Sequence, residues 1–172
     1  MSFLTRLLRP RIDSQAALRP LWHQIVAVGR DPVWYRDLGV ADSLTGRFDV
    51  IILVLCLVLM RLEKEPDLIA PSALLTELFV ADMDGQLRES GIGDLVVGKH
   101  IGRLMGVLGG RLGAYREALA EYGDAALVLA LTRNVTLLEG HNADDMAKVA
   151  RAFSAKLMLQ DGGEVLAGEI AL

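Results

Sequence analysis

Few residues in this chain could do chemistry. The soft or readily titratable groups are three histidines, His23, His100 and His141, and one cysteine, Cys56. No histidine falls in a Glu-x-x-His or His-x-x-x-His pattern, the spacings by which one helix face aims two ligands at a metal. A single cysteine excludes an internal disulfide and any multi-cysteine metal cluster, and Cys56 sits in an apolar run where it reads as a small core residue. Asp82 and Asp84 are two apart, so on a helix they point about 200° from each other and do not form an acid-base pair. Gly91-Ile92-Gly93 and Gly109-Gly110 lack the preceding strand or the lysine-serine pair of a phosphate loop. No nucleophile has an adjacent histidine. The sequence therefore predicts binding chemistry, with no enzyme activity, cofactor or metal.

The candidate binding residues are Asp82, Asp84, Arg88, Lys99, Arg103 and Arg111. Asp84 and Arg88 are four apart, a spacing that suits an intrahelical ion pair worth some tenths of a kcal/mol when exposed. Lys99, Arg103 and Arg111 form a basic stripe interrupted by Val107. Two readings stand for it: pairing with an acidic helix carrying Glu77, Asp82, Asp84 and Glu89, or contact with RNA, anionic lipid or a client loop. Beside the stripe, Gly98, Gly102, Gly106 and Gly110 recur every four residues. Each interior glycine costs up to about 1 kcal/mol relative to alanine, and the simplest compensation is close approach by another helix.

The element that must position these residues is a helix, corner and helix over Phe79 to Ile101. Leu75, Leu78, Phe79, Met83 and Leu87 make one apolar stripe at three- and four-residue spacing. Ser90-Gly91 stops that helix, Gly91 being suited to a left-handed helix end, and Asp94 can cap the next, which runs to about Glu121. Upstream, Val50 to Met60 is apolar without a break between Asp49 and Arg61. That is too short for a membrane span, which needs about 18 or more such residues. A buried strand is the alternative, but the run exceeds usual strand length and has no evident strand partner. A helix apolar on all sides must be surrounded by others, so this one, about 46 to 65 with Ser43 or Thr45 as cap, belongs at the centre of a bundle.

The remaining segments are read the same way. Residues 14 to 29 form a helix, regular from about Arg19, that turns Leu18, Leu21, Trp22, Ile25 and Val28 inward. Asp31-Pro32 opens a short turn carrying Trp34 and Tyr35, with Gly39 closing it. After Gly123-Asp124 a helix runs through Leu138, Glu139 to Asn142 turn, and residues 143 to 160 form an amphipathic helix with Lys148, Arg151 and Lys156 outward. Beyond Gly162-Gly163 the tail is expected to be loose. The predicted fold is an all-α, single-domain helical bundle of about seven helices around a fully apolar central helix. Its parts are a basic amphipathic N-terminus over residues 1–13, a helical domain over 14–160 and a tail over 161–172.

Charge is uneven. The net charge of −4 divides into +4 for residues 1 to 36, six arginines against Asp13 and Asp31, and −8 for the rest. Phe3, Leu4, Leu7 and Leu8 with Arg6, Arg9 and Arg11 make a two-turn amphipathic pattern, suited to a membrane surface or left as a disordered terminus. Those arginines and Pro10 also break up any secretory signal, so an intracellular, unprocessed protein is expected. With 52% hydrophobic residues and a mean hydropathy of +0.37, the 172-residue chain has enough apolar material to fill a core and leave a surface patch.

Several ordered matches give the chain a resemblance. Phe79, Ala81 to Asp84, Leu87-Arg88-Glu89, Gly91 to Leu95 and Val97-Gly98-Lys99 resemble the ubiquinol-cytochrome c chaperone family. Leu38-Gly39-Val40, Asp42, Gly46-Arg47-Phe48-Asp49, Arg111-Leu112, Tyr115 and Arg133-Asn134 extend the resemblance over roughly Leu21 to Asn134. It implies an assembly factor for the cytochrome bc complex, respiratory complex III. The implied client is newly made cytochrome b, bound near the ribosomal exit or the membrane, with a small partner protein in mitochondria. It also implies a cytoplasmic place, peripheral at the inner membrane in bacteria, or the matrix side in mitochondria. Without a nucleotide motif the chaperoning is expected to be ATP-independent. A lipid- or quinone-binding helical protein at the membrane surface is the alternative that the apolar excess, the glycine row and the basic N-terminus support.

Overall fold

The computed structural model describes residues 15–89 and 94–172, with side chains described over 15–85 and 101–172. Eight α-helices and one 3-10 turn occupy the described residues. They are α1 (Arg19–Gly29), α2 (Pro32–Arg36), α3 (Leu44–Leu62), the 3-10 turn (Pro66–Leu68), α4 (Ile69–Glu89), α5 (Asp94–Ala120), α6 (Ala125–Asn134), α7 (Asp144–Leu159) and α8 (Gly162–Leu166). The all-α fold is as expected.

The centre is α3. Ser43 Oγ accepts from Gly46 N at 3.1 Å and starts the helix, meeting a backbone donor that helix geometry leaves without a partner. Every residue from Asp49 to Leu62 is buried, and α1, α4, α5, α7 and α8 all pack on it. An aliphatic helix of that kind removes apolar area on every side, about 25 cal/mol for each Å² taken from water. Both tryptophans are packed: Trp34 donates Nε1–H to Val28 O at 2.8 Å, and Trp22 meets Phe79 of α4 edge-on with ring centroids 5.8 Å apart. Asp31 accepts from Val33 N at 2.9 Å and Pro32 opens α2, as its sequence predicts.

Three expectations are corrected. The helix after Gly123 ends at Asn134 rather than Leu138. The chain there turns extended and pairs with the Gly39 loop: Ala41 N donates to Thr136 O at 2.9 Å, Leu138 N donates to Gly39 O at 2.8 Å, and Val40 faces Leu137 in an isolated antiparallel bridge. The tail is not loose. Asp161 caps α8 through Gly163 N, Val165 and Ile170 are buried, and Gln24 Nε2 donates to Ile170 O at 2.9 Å. Arg151 does not point outward alone. Its guanidinium caps the C-terminal end of α5 through Leu119 O at 3.1 Å and also bonds Gly123 O and Asp124, a place where the helix dipole favours a cation.

Candidate functional site

The predicted binding residues separate once placed. Asp82 is exposed and Asp84 half-buried on α4, and both take part in interactions there. Arg88 belongs to α4 and Lys99 to α5 by backbone, but their side chains lie outside the described residues, as does the corner at 90–93. Arg103 is exposed on α5, with no ion pair among the described residues. Arg111 does not join it at the surface.

Arg111 turns inward to α3. Its Nη2 donates to Asp49 Oδ1 at 2.7 Å, and the side chains are only 15% and 4% exposed. Asp49 Oδ2 also accepts from Thr136 N at 3.0 Å and Thr136 Oγ1 at 2.7 Å. One aspartate thus ties together the head of the central helix, the long glycine-bearing helix and the segment after α6. Tyr115, one helical turn beyond Arg111, is fully buried, and its hydroxyl and Arg111 Nη1 find no hydrogen-bond partner among the described residues. Burial pushes the Tyr115 phenol well above its ordinary range, against the opposing pull of Arg111. Burial likewise raises the Cys56 thiol to about 12. That thiol is neutral and inert at neutral pH.

The glycine row also departs from expectation. Gly98 lies outside the residues whose side chains are described, and among the described residues no helix comes close to the rest of the row: a Cβ built at Gly102, Gly106, Gly109, Gly110 or Gly113 meets nothing within 4 Å. Along α5 the row at i, i+4 runs obliquely round the helix. It is exposed at Gly102, Gly106 and Gly110, half-buried at Ala114 and buried at Ala118. At that end α6 covers it, leaving a groove of about 330 Å³ lined by Ala114, Ala118, Ala126 and Ala130 and rimmed by Glu117, Glu121 and Arg133. The open end carries Arg103 and the 41% exposed Met105. From Val80 to Gly85 in α4 and from Ile101 to Val107 in α5 no described side chain is fully buried. In those stretches Val80, Met83, Leu104 and Val107 pack half-buried against the core.

The profile of the ubiquinol-cytochrome c chaperones matches residues 36–172. The chain belongs to that family. Among solved structures it is similar to the crystal structure of the Cbp3 homolog from Brucella abortus, with 31% identity and a TM-score of 0.80 over 98% of this chain and 96% of that one. No curated protein matches. Several positions that carry the family resemblance turn out to build the fold. Gly39 has a φ of 71° and lies against the His141 ring, Gly46 lies against the Ala41 carbonyl, and Asp49, Arg111 and Tyr115 share the buried cluster. Sequence reading missed Asp49. Its one signal is a carboxylate standing at the head of an otherwise apolar run, where burial demands a partner.

Proposed function

We propose that the chain is an ATP-independent assembly chaperone for respiratory complex III that holds newly synthesised cytochrome b near the ribosome or membrane. Family membership supports the assembly role, and the open face of α5 is the single observation that carries the client-binding reading. Interior glycines lower helix stability, and among the described residues no neighbour approaches Gly102, Gly106 or Gly110 to repay them. A row of backbone without side chains lets a second helix approach closely, the way helices of membrane proteins pack on one another. The buried end of the same row, where α6 sits on Ala114 and Ala118, shows a helix already using it. Arg103 and Met105 border the open part and supply a cation and an adaptable apolar side chain. No described helix is long and apolar enough to cross a membrane.

Gly106→Leu tests this. The site is open, so the variant is expected to fold and to gain up to about 1 kcal/mol of stability from helix propensity, while in-cell crosslinking from position 105 to cytochrome b falls at least severalfold. Lys99→Glu with Arg103→Glu is expected to weaken the same crosslink without changing the thermal midpoint. Normal crosslinking and normal complex III levels in both variants would remove the α5 face from the binding site.

A further inference from the structure

A cavity of about 490 Å³ opens where α5 and α7 both flank the C-terminal end of α3, a volume ordinary for a small-molecule site. Met60 of α3, Leu119 of α5 and Met158 of α7 give it an apolar lining, and two of those three are thioethers, which adapt to what they meet. One deeply buried polar side chain also lines it. Ser154 is only 7% exposed, and its hydroxyl has no hydrogen-bond partner among the described residues. A buried hydroxyl left in that state is costly. At the rim stand Lys64, Arg116 and Arg151 against the single carboxylate of Glu63.

The cations are not equally committed. Arg151 holds Asp124 and the carbonyls at the end of α5, and Arg61 holds those at the end of α7, so the negative helix ends that would repel an anion are already met. Arg116 gives Nη2 to Glu63 and keeps further donors on its guanidinium. Lys64 is exposed, with no ion pair among the described residues. We propose that this cavity binds a single-chain anionic amphiphile, an aliphatic chain ending in a carboxylate or a phosphate monoester. Lys64 and Arg116 take the head group, the Ser154 hydroxyl donates to it, and the chain lies on Met60, Leu119 and Met158. The cavity sits at the opposite end of α5 from Arg103 and Met105, so the site stands or falls separately from the client-binding face.

NMR of the full chain labelled at its methionine methyl groups tests the site, with dodecanoate added below its micelle concentration. The Met60 and Met158 signals are expected to shift together and saturate at a single equivalent, while those of Met105 and Met146 stay in place. Dodecyl phosphate is expected to saturate the same two signals, and the tighter of the two anions identifies the head group. Dodecyltrimethylammonium, with the same chain and the opposite charge, is expected to leave them unshifted. Lys64→Glu, a change at an exposed residue, is expected to weaken both anions about tenfold, and Ser154→Ala to weaken them to a smaller extent. No shift with either anion overturns the proposal. Equal binding of the cationic amphiphile also overturns it and makes the cavity an apolar patch, as do shifts that never saturate and reach Met105, the mark of detergent-like adsorption. Undiminished binding in Lys64→Glu removes the head-group contact and overturns it too. If phosphatidylglycerol vesicles shift the two signals and the monomeric anions do not, the surface is a membrane contact and no ligand site exists. Should Ser154→Ala lower the thermal midpoint of the free protein, Lys64→Glu decides alone.

Discussion

At the scale of single residues, the Asp49–Arg111 pair settles what part of the basic stripe is for. A buried carboxylate that loses its cation remains as an uncompensated charge, and breaking such a pair costs about 3–5 kcal/mol. Arg111→Met is therefore expected to lower the urea-unfolding free energy by that amount, whereas Asp49→Leu with Arg111→Met together should recover much of the loss, because both charges are then gone. A single substitution that leaves the unfolding midpoint in place would show the pair to be incidental. The error in reading Arg111 as surface has a definite cause. Periodicity fixes which residues share a face of one helix, but not which neighbour a long side chain reaches at the end of that face. Arg103 and Arg111 lie on the same stripe, and only the position of α3 separates an exposed cation from a buried one.

At the scale of elements, the central helix was legible because fourteen successive residues from Asp49 to Leu62 are buried and a helix so clad has one place to go. The tail was not. Val165, Leu166 and Ile170 carry no sustained helical period and sit among three glycines and three acids, a composition that resembles a loose end. What orders them is tertiary: Arg61, itself buried, donates to Leu157 O at 3.0 Å and Gln160 O at 2.7 Å at the end of α7, and so fixes the point from which α8 returns. Ile170 is 2% exposed. Ile170→Ala is expected to cost about 2–5 kcal/mol, read as a lower thermal midpoint. An unchanged midpoint would mean that the tail docks without contributing to stability. The glycine row failed for the opposite reason. The four-residue spacing fixes which glycines share a row, but not whether a neighbour covers it, and among the described residues none approaches Gly102, Gly106 or Gly110.

At the scale of the whole molecule, the described helices pack around α3, and the core they form holds two ionisable groups that folding keeps neutral. Cys56 and Tyr115 both have folded-state pKa values raised mainly by burial, the thiol to about 12. In the unfolded chain these groups lose their protons near pH 8.5 and 10. Above those values the unfolded state binds fewer protons than the native state, so stability falls with rising pH, by up to about 1.4 kcal/mol per pH unit for each group. The stability from this source is complete below about pH 8.5 and is lost as pH climbs through the thiol's folded value near 12. The denaturation midpoint is therefore expected to drop steadily above pH 9, and Cys56→Ala with Tyr115→Phe to flatten that drop while leaving the pH 7 to 8 plateau level. The same burial predicts that a thiol reagent at pH 8 reacts with Cys56 only at the rate of global unfolding. Rapid labelling of the folded protein would place Cys56 in an accessible part of the molecule and remove the thiol from the alkaline transition.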